Sequence, residues 1–194
     1  PPTNPDNPFY VIGDIHGRTD LLTRALGRLY SDFPIVCVGD YVDRGENSAG
    51  VLRLLHSRPD IHCLKGNHED MLLRFLDDPE KYGPRWLRYG GLQALASFGI
   101  TGITDTSQGS ALIKAGTALE SEMGSDLIDW LRNLPLTYRS GNVAVVHAAA
   151  DPRATLQDQQ SRHLMWGHTD FDKVRRKDGL WVVHGHTIVD APVV

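Results

Sequence analysis

Short apolar runs that stop abruptly at polar tips set the rhythm of this chain. Phe9 to Ile12 leads into Gly13-Asp14-Ile15-His16-Gly17, and Ile35 to Val38 leads into Gly39-Asp40. Ile61 to Leu64 leads into Lys65-Gly66-Asn67-His68-Glu69. Val143 to Val146 ends at His147, and Trp181 to Val183 ends at His184-Gly185-His186. The runs are rich in Val and Ile and have the length of buried strands. Helical periodicity separates the first three. Asp20 to Tyr30 carries Leu21, Leu22, Ala25, Leu26 and Leu29, and Ala49 to His56 follows the second run. This alternation predicts an α/β fold with right-handed crossovers and a largely parallel inner sheet. Ligands in such folds bind beyond the carboxyl ends of the strands, where these polar tips converge.

The middle of the chain is less informative. Met71 to Leu76, Pro84 to Phe98 and Asp126 to Leu134 read as helices. The pair Gly90-Gly91 reads as a turn or as a close approach to a ligand. No repeat or low-complexity tract divides the 194 residues, so a single domain, 1–194, is expected. Pro1 to Pro8 is expected to be a flexible, trimmed leader, and the C-terminus at Val194 to be incomplete.

Composition narrows the setting. Hydrophobic residues make up 41% and charged residues 23%, as in a globular protein. With a net charge of −4 and no long basic block, no nucleic-acid partner is expected. The run Arg175-Arg176-Lys177 reads as a solvated loop. No apolar stretch approaches the ~18 residues of a membrane span, and no signal-peptide core is present at the N-terminus. Cys37 and Cys63 lie inside strand-like runs and read as buried free thiols. The expectation is a cytoplasmic domain with no membrane partner.

The tips suggest metal chemistry. Asp14 and His16 are two residues apart, which puts both on one face of an extended strand end. Carboxylate with imidazole suits Mn, Fe or Zn better than Ca. Asp40 can bridge two ions, and Asn67, His147 and His186 would complete the second. Two divalent ions outweigh the charge of Asp14 and Asp40 even with a bridging hydroxide, which leaves the site attractive to phosphate. Coordination brings the pKa of bound water from 15.7 to roughly 7, so hydroxide is available at neutral pH. Taken singly, each tip has a plainer reading: an N-capping Asp, or a core histidine satisfied by neighbours. Recurrence at five strand ends argues against turn chemistry alone.

"GDIHG", "GDYVDRG" and "GNHE", followed by "VVHA" and "HGHT", resemble the signature set of the phosphoprotein phosphatase family within the calcineurin-like metallophosphoesterases. The motifs run in the family's order from Gly13 to Thr187, and the length together with "WLRYGGLQALASFG" resembles its bacterial and phage branch. The resemblance implies a sandwich of two mixed β-sheets flanked by helices, with the metal site at strand C-terminal ends. It implies two divalent cofactor ions, Mn first, with Fe, Zn or a mixture as alternatives. Asp14, His16 and Asp40 would hold one ion, and Asp40, Asn67, His147 and His186 the other. Arg44 and Asn67 would bind the substrate phosphoryl group, His68 would protonate the leaving alkoxide, and Asp43 would orient His68. His184 falls beside the ligands or in strand packing, and Glu69 behind them or at a helix start.

One position departs from the pattern. The family's phage-type members carry an arginine two residues after a Trp, and "LMWGHTDF" has His168 there. Arg139 or Arg162 would have to substitute, or a protonated His168 would contact phosphate itself; an exposed loop position for His168 is the plainer alternative. The implied activity is serine/threonine protein phosphatase, with a phosphoprotein or phosphopeptide as partner. The alternative is a symmetrical diadenosine tetraphosphate hydrolase, whose members tend to lack the acid of "VDRG" and to carry "GNHD". A non-catalytic phosphate-binding module is the third reading.

Overall fold

In the computed structural model, which describes residues 1–29 and 32–191, the apolar runs become strands in two three-stranded sheets. The first sheet holds β1 (Tyr10–Ile12), β2 (Ile35–Cys37) and β3 (Ile61–Cys63), parallel throughout. The expected mixture of directions is therefore confined to the second sheet. There β5 (Val143–Val146) pairs antiparallel with β4 (Thr137–Ser140) and parallel with β6 (Trp181–Val183). Strand alternation sorts the side chains. Val36, Val38, Leu64 and Val145 fill the layer between the sheets, while Cys37 and Cys63 face the helical side. Both cysteines are buried free thiols.

The helices pack around a larger apolar cluster that includes Leu52, Leu72, Phe75, Trp86, Leu112, Leu119 and Leu131. Each such side chain contributes roughly 1.5–3 kcal/mol on burial. Between β1 and β2 lies α1 (Thr19–Leu26), which stops short of the expected Tyr30 because Gly27 caps it; Tyr30 is outside the described residues. Between β2 and β3 lies α2 (Ser48–His56), started by the Asn47 side chain accepting from the Gly50 N–H. After β3 comes α3 (Asn67–Asp77), longer than Met71 to Leu76 because it begins at the polar tip itself.

The helix expected from Pro84 to Phe98 is broken in two. Pro79 starts α4 (Pro79–Trp86), and α5 (Leu92–Ser97) follows a kinked turn at 87–91. Gly90 makes that kink, with φ at 111°, a conformation open to glycine and strained for any other residue. The sequence reading missed α6 (Ser110–Met123), β4 and α8 (Ser161–Trp166); α7 (Ser125–Arg132) falls close to the expected Asp126 to Leu134. Residues 1–8 do not hang free. Asn4 and Asp6 hydrogen-bond to Asn142, Ser140 and Gly141, which ties the segment to the β4–β5 turn. No helix among the described residues is long and apolar enough to cross a membrane.

Candidate metal centre

The carboxyl ends of β1, β2, β3, β5 and β6 bring most of the predicted ligands together. One ligand atom from each of Asp40, His147 and His186 lies within 4.8 Å of the others, and the same holds for His16, Asp40 and His68. Asp40 belongs to both groups, as a bridging residue must. Asp14 joins through the backbone: its carboxylate accepts the His186 N–H at 3.0 Å.

The hydrogen bonds behind the imidazoles show which nitrogens face inward. His16 Nδ1 lies 2.8 Å from the Val42 carbonyl, so the ring donates there and presents a bare Nε2. That Nε2 is buried without a hydrogen-bond partner. His147 Nδ1 likewise backs onto the Val38 carbonyl at 3.1 Å. Its bare Nε2 then sits 2.8 Å from Asn67 Oδ1, 3.2 Å from His186 Nδ1 and 3.3 Å from Asp40 Oδ1. His186 Nδ1 is in turn 2.9 Å from Asn67 Oδ1. Lone pairs of His147 Nε2, Asn67 Oδ1 and Asp40 Oδ1 converge with His186 Nδ1 on one point, so the residues fit a divalent ion. Their N and O donor set suits Mn, Fe or Zn.

Electrostatics agree with that geometry. Burial works to raise Asp40, but the adjacent His147 and His68 imidazoles and the donating His68 N–H hold it down at about 2, so its carboxylate is ionised. Burial depresses His16. Beside the ligands, His68 Nδ1 lies 2.6 Å from Asp43 Oδ2, with both side chains essentially out of water. Trp86 Nε1 donates to the same carboxylate at 3.0 and 2.9 Å. Burial pushes Asp43 up to about 6. It also opposes a charged His68, yet the Asp43 hydrogen bond and the negative charge of Asp40 outweigh it and raise His68. The proton of the pair therefore belongs on the imidazole. His68 Nε2 points away from Asp43 toward Arg44, 3.4 Å from a guanidinium nitrogen.

Glu69, expected behind the ligands or at a helix start, occupies both places. Its wholly buried carboxylate accepts the N–H groups of Asp40 (2.8 Å), Tyr41 (2.7 Å), Val42 (3.3 Å) and Gly66 (2.9 Å). The Gly66 bond is the one an acid at the third helical position makes back to the N-cap N–H; the other three join α3 to the β2 tip, and none has a local sequence signal. Burial, then the Asp40 charge, pushes Glu69 up to about 7 against these hydrogen bonds. Gly66 permits the close approach, since a Cβ there would lie 2.3 Å from Asp40 Oδ1.

Two sequence candidates have their contacts with residues outside these clusters. His168 faces Asp151 at 3.8 Å and stacks edge-on against His163. Asp170 N–H donates to His168 Nδ1 at 3.2 Å, which leaves the ring's hydrogen, not a lone pair, on the side of Asp151. His184 is exposed beside Phe171. Of the arginines considered as substitutes, Arg139 hydrogen-bonds to the Gly141 carbonyl, and Arg162 lines a separate cleft.

A parallel α/β layer and a mixed layer meet where two candidate ligand clusters share one carboxylate, an arrangement that fits the metallophosphoesterases. Residues 7–190 match the calcineurin-like phosphoesterase family, and the chain belongs to it; its members use divalent ions in a dinuclear site. Serine/threonine-protein phosphatase 2 of Escherichia coli (strain K12) is 44% identical over 87 residues, 43% of this chain and 38% of that protein. The symmetrical bis(5'-nucleosyl)-tetraphosphatase of Dechloromonas aromatica (strain RCB) is 31% identical over 150 residues, 75% of this chain and 45% of that protein. The chain thus spans less than half the length of these two relatives. A crystal structure described as a putative diadenosine tetraphosphatase superposes with a TM-score of 0.58 at 23% identity, covering 91% of this chain and 73% of that one.

Proposed function

We propose that this domain is a phosphomonoesterase acting on phosphoserine and phosphothreonine. The observation that carries the reading is the buried His68–Asp43 pair. An alkoxide is a poor leaving group and departs only with a proton, whereas the phosphate of a nucleotide leaves as a stable anion. A dedicated acid with its charge secured by Asp43 and Trp86 suits the first task. Similarity to the E. coli protein phosphatase supports the same reading.

In this reading Asp14, His16 and Asp40 would hold one ion, and Asp40, Asn67, His147 and His186 would hold the other. When bound, the ions supply Lewis acidity and a nucleophilic water at neutral pH. Arg44 grips the phosphoryl oxygens with its planar fork, and Asn67 contacts them from the ligand side. His68 Nε2 gives its proton to the departing oxygen, and Asp43 keeps the ring protonated and aimed. This reading gives His168 no phosphate contact, because Asp151, His163 and the Asp170 N–H already engage its ring.

The second reading is symmetrical hydrolysis of diadenosine tetraphosphate. It is favoured by the tetraphosphatase relatives, whose similarity runs over more of this chain. Phosphoserine peptide and diadenosine tetraphosphate, assayed side by side on Mn²⁺-loaded protein, separate the two. Turnover of the dinucleotide alone refutes the phosphomonoesterase assignment.

A further inference from the structure

A cleft of about 550 Å³, within the size range of ligand pockets, lies between α3 and α4 on one side and α8 on the other. Trp86 lines it, and the same indole reaches Asp43. The α8 wall is anchored next to His147 by the Ala148 N–H donating to the Leu164 carbonyl at 2.7 Å. Both walls are thus tied to the metal centre.

The lining is cationic in a chain of net charge −4. Arg74 is neutralised by Asp70 at 2.9 Å. Arg85 and Arg162 have no carboxylate within ion-pair distance among the described residues. Arg85 is held over the rings of Trp166 and Tyr89, 5.0 and 5.7 Å from their centroids. Arg74 and Lys81 lie over Tyr82 in the same way. Cationic groups already cover these aromatic faces, which leaves poor stacking for a nucleobase and fixed forks for a carboxylate.

We propose that this cleft binds acidic side chains flanking the phosphorylated residue of a peptide substrate; the proposal rests on the phosphomonoesterase reading above. The test compares two phosphoserine peptides, one flanked by glutamates and one by glutamines. Wild type should favour the glutamate peptide in kcat/KM by about 10-fold, which two exposed ion pairs deliver together. Added salt should narrow the gap. Arg162→Glu, at an exposed position, should bring the ratio near one, and Arg85→Glu should act in the same direction. A wild-type ratio near one, or a ratio untouched by Arg162→Glu, overturns the proposal.

Calorimetry with the unphosphorylated glutamate peptide keeps the cleft testable apart from catalysis. Binding to wild type that Arg162→Glu weakens upholds the cleft even if neither phosphopeptide is hydrolysed, a result that would sink only the activity reading. No peptide binding, or binding of diadenosine tetraphosphate that Arg162→Glu removes in its place, overturns the cleft assignment.

Discussion

Replacing Asp43 by Asn removes the negative charge behind His68 while keeping the shape of the side chain. The 2.6 Å contact is a charge-assisted hydrogen bond between two buried groups. Bonds of that kind contribute about 1.5–3 kcal/mol. At 1.36 kcal/mol per pKa unit, His68 should become about 1–2 units less basic. His68 now sits above its ordinary value of 6.5, so the acid is fully present below that pH and is lost as pH rises through the raised pKa. Asp43→Asn therefore moves the falling limb of the kcat profile to lower pH. General acids are worth roughly 10²–10⁴-fold, and only where the leaving group needs a proton. Turnover of a phosphoserine peptide should drop by that order at pH 7, while p-nitrophenyl phosphate, with a good leaving group, should lose far less. Metal content, read by elemental analysis, should stay at the wild-type level. Equal losses on both substrates, or an unmoved pH limb, would refute the acid assignment.

Glu69→Ala strips the acceptor from four buried N–H groups, at about 1–3 kcal/mol for each left unsatisfied. Even ~3 kcal/mol in total lowers Tm by roughly 6–12 °C, and calorimetry should show it together with weaker metal binding. Ser48→Ala frees the Asp43 N–H, which now donates to Ser48 Oγ at 3.0 Å; kcat on phosphoserine should fall several-fold with metal retained, and an unchanged kcat would show that Asp43 keeps its position without this bond. Gly90→Ala puts a Cβ 2.6 Å from the Arg44 backbone nitrogen and 2.9 Å from its Cγ; KM should rise with no loss of metal, and a wild-type KM would mean that Arg44 does not grip substrate. His147→Ala should remove one equivalent of metal, and chelation of wild type should abolish a turnover that added Mn²⁺ restores.

The strand tips were legible because run and tip lie close together: three or four mostly apolar residues followed within three positions by Asp, Asn or His can be read without knowing the fold. The same adjacency placed β1, β2, β3, β5 and β6. What failed was non-local or chemically dilute. The buried stripe of α6 is Leu112, Ala115, Gly116, Leu119 and Met123, with a glycine in its middle. That glycine lowers helix propensity, and it is there because a Cβ would lie 2.6 Å from Pro79. Strand β4 offers Thr-Tyr-Arg-Ser, too short and too polar to announce itself. Trp86 reads as an ordinary core aromatic until the fold sets its indole N–H against Asp43, 43 residues away in the chain.

Backbone conformation carries a further layer that no side-chain pattern encodes. Among the described residues, the non-glycine positions with positive φ are His16, Asp40, Asp43, Arg44 and His186. All five belong to the candidate centre. Each such conformation costs on the order of 1–3 kcal/mol, so together they approach the net stability of a whole domain. They persist because each N–H has a fixed acceptor. His16 donates to the Asp40 carbonyl, Asp40 to Glu69, Asp43 to Ser48, Arg44 to the Gly90 carbonyl and His186 to Asp14. Four of these five acceptors lie in motifs of the centre or in the kinked turn beside it, so the tips hold one another in place. The strain turns side chains off the strand line and toward a common point, which extended backbone could not do. Exchanging Asp14 therefore releases the His186 backbone as well as removing a carboxylate from the centre, and exchanging Glu69 releases the backbone of Asp40.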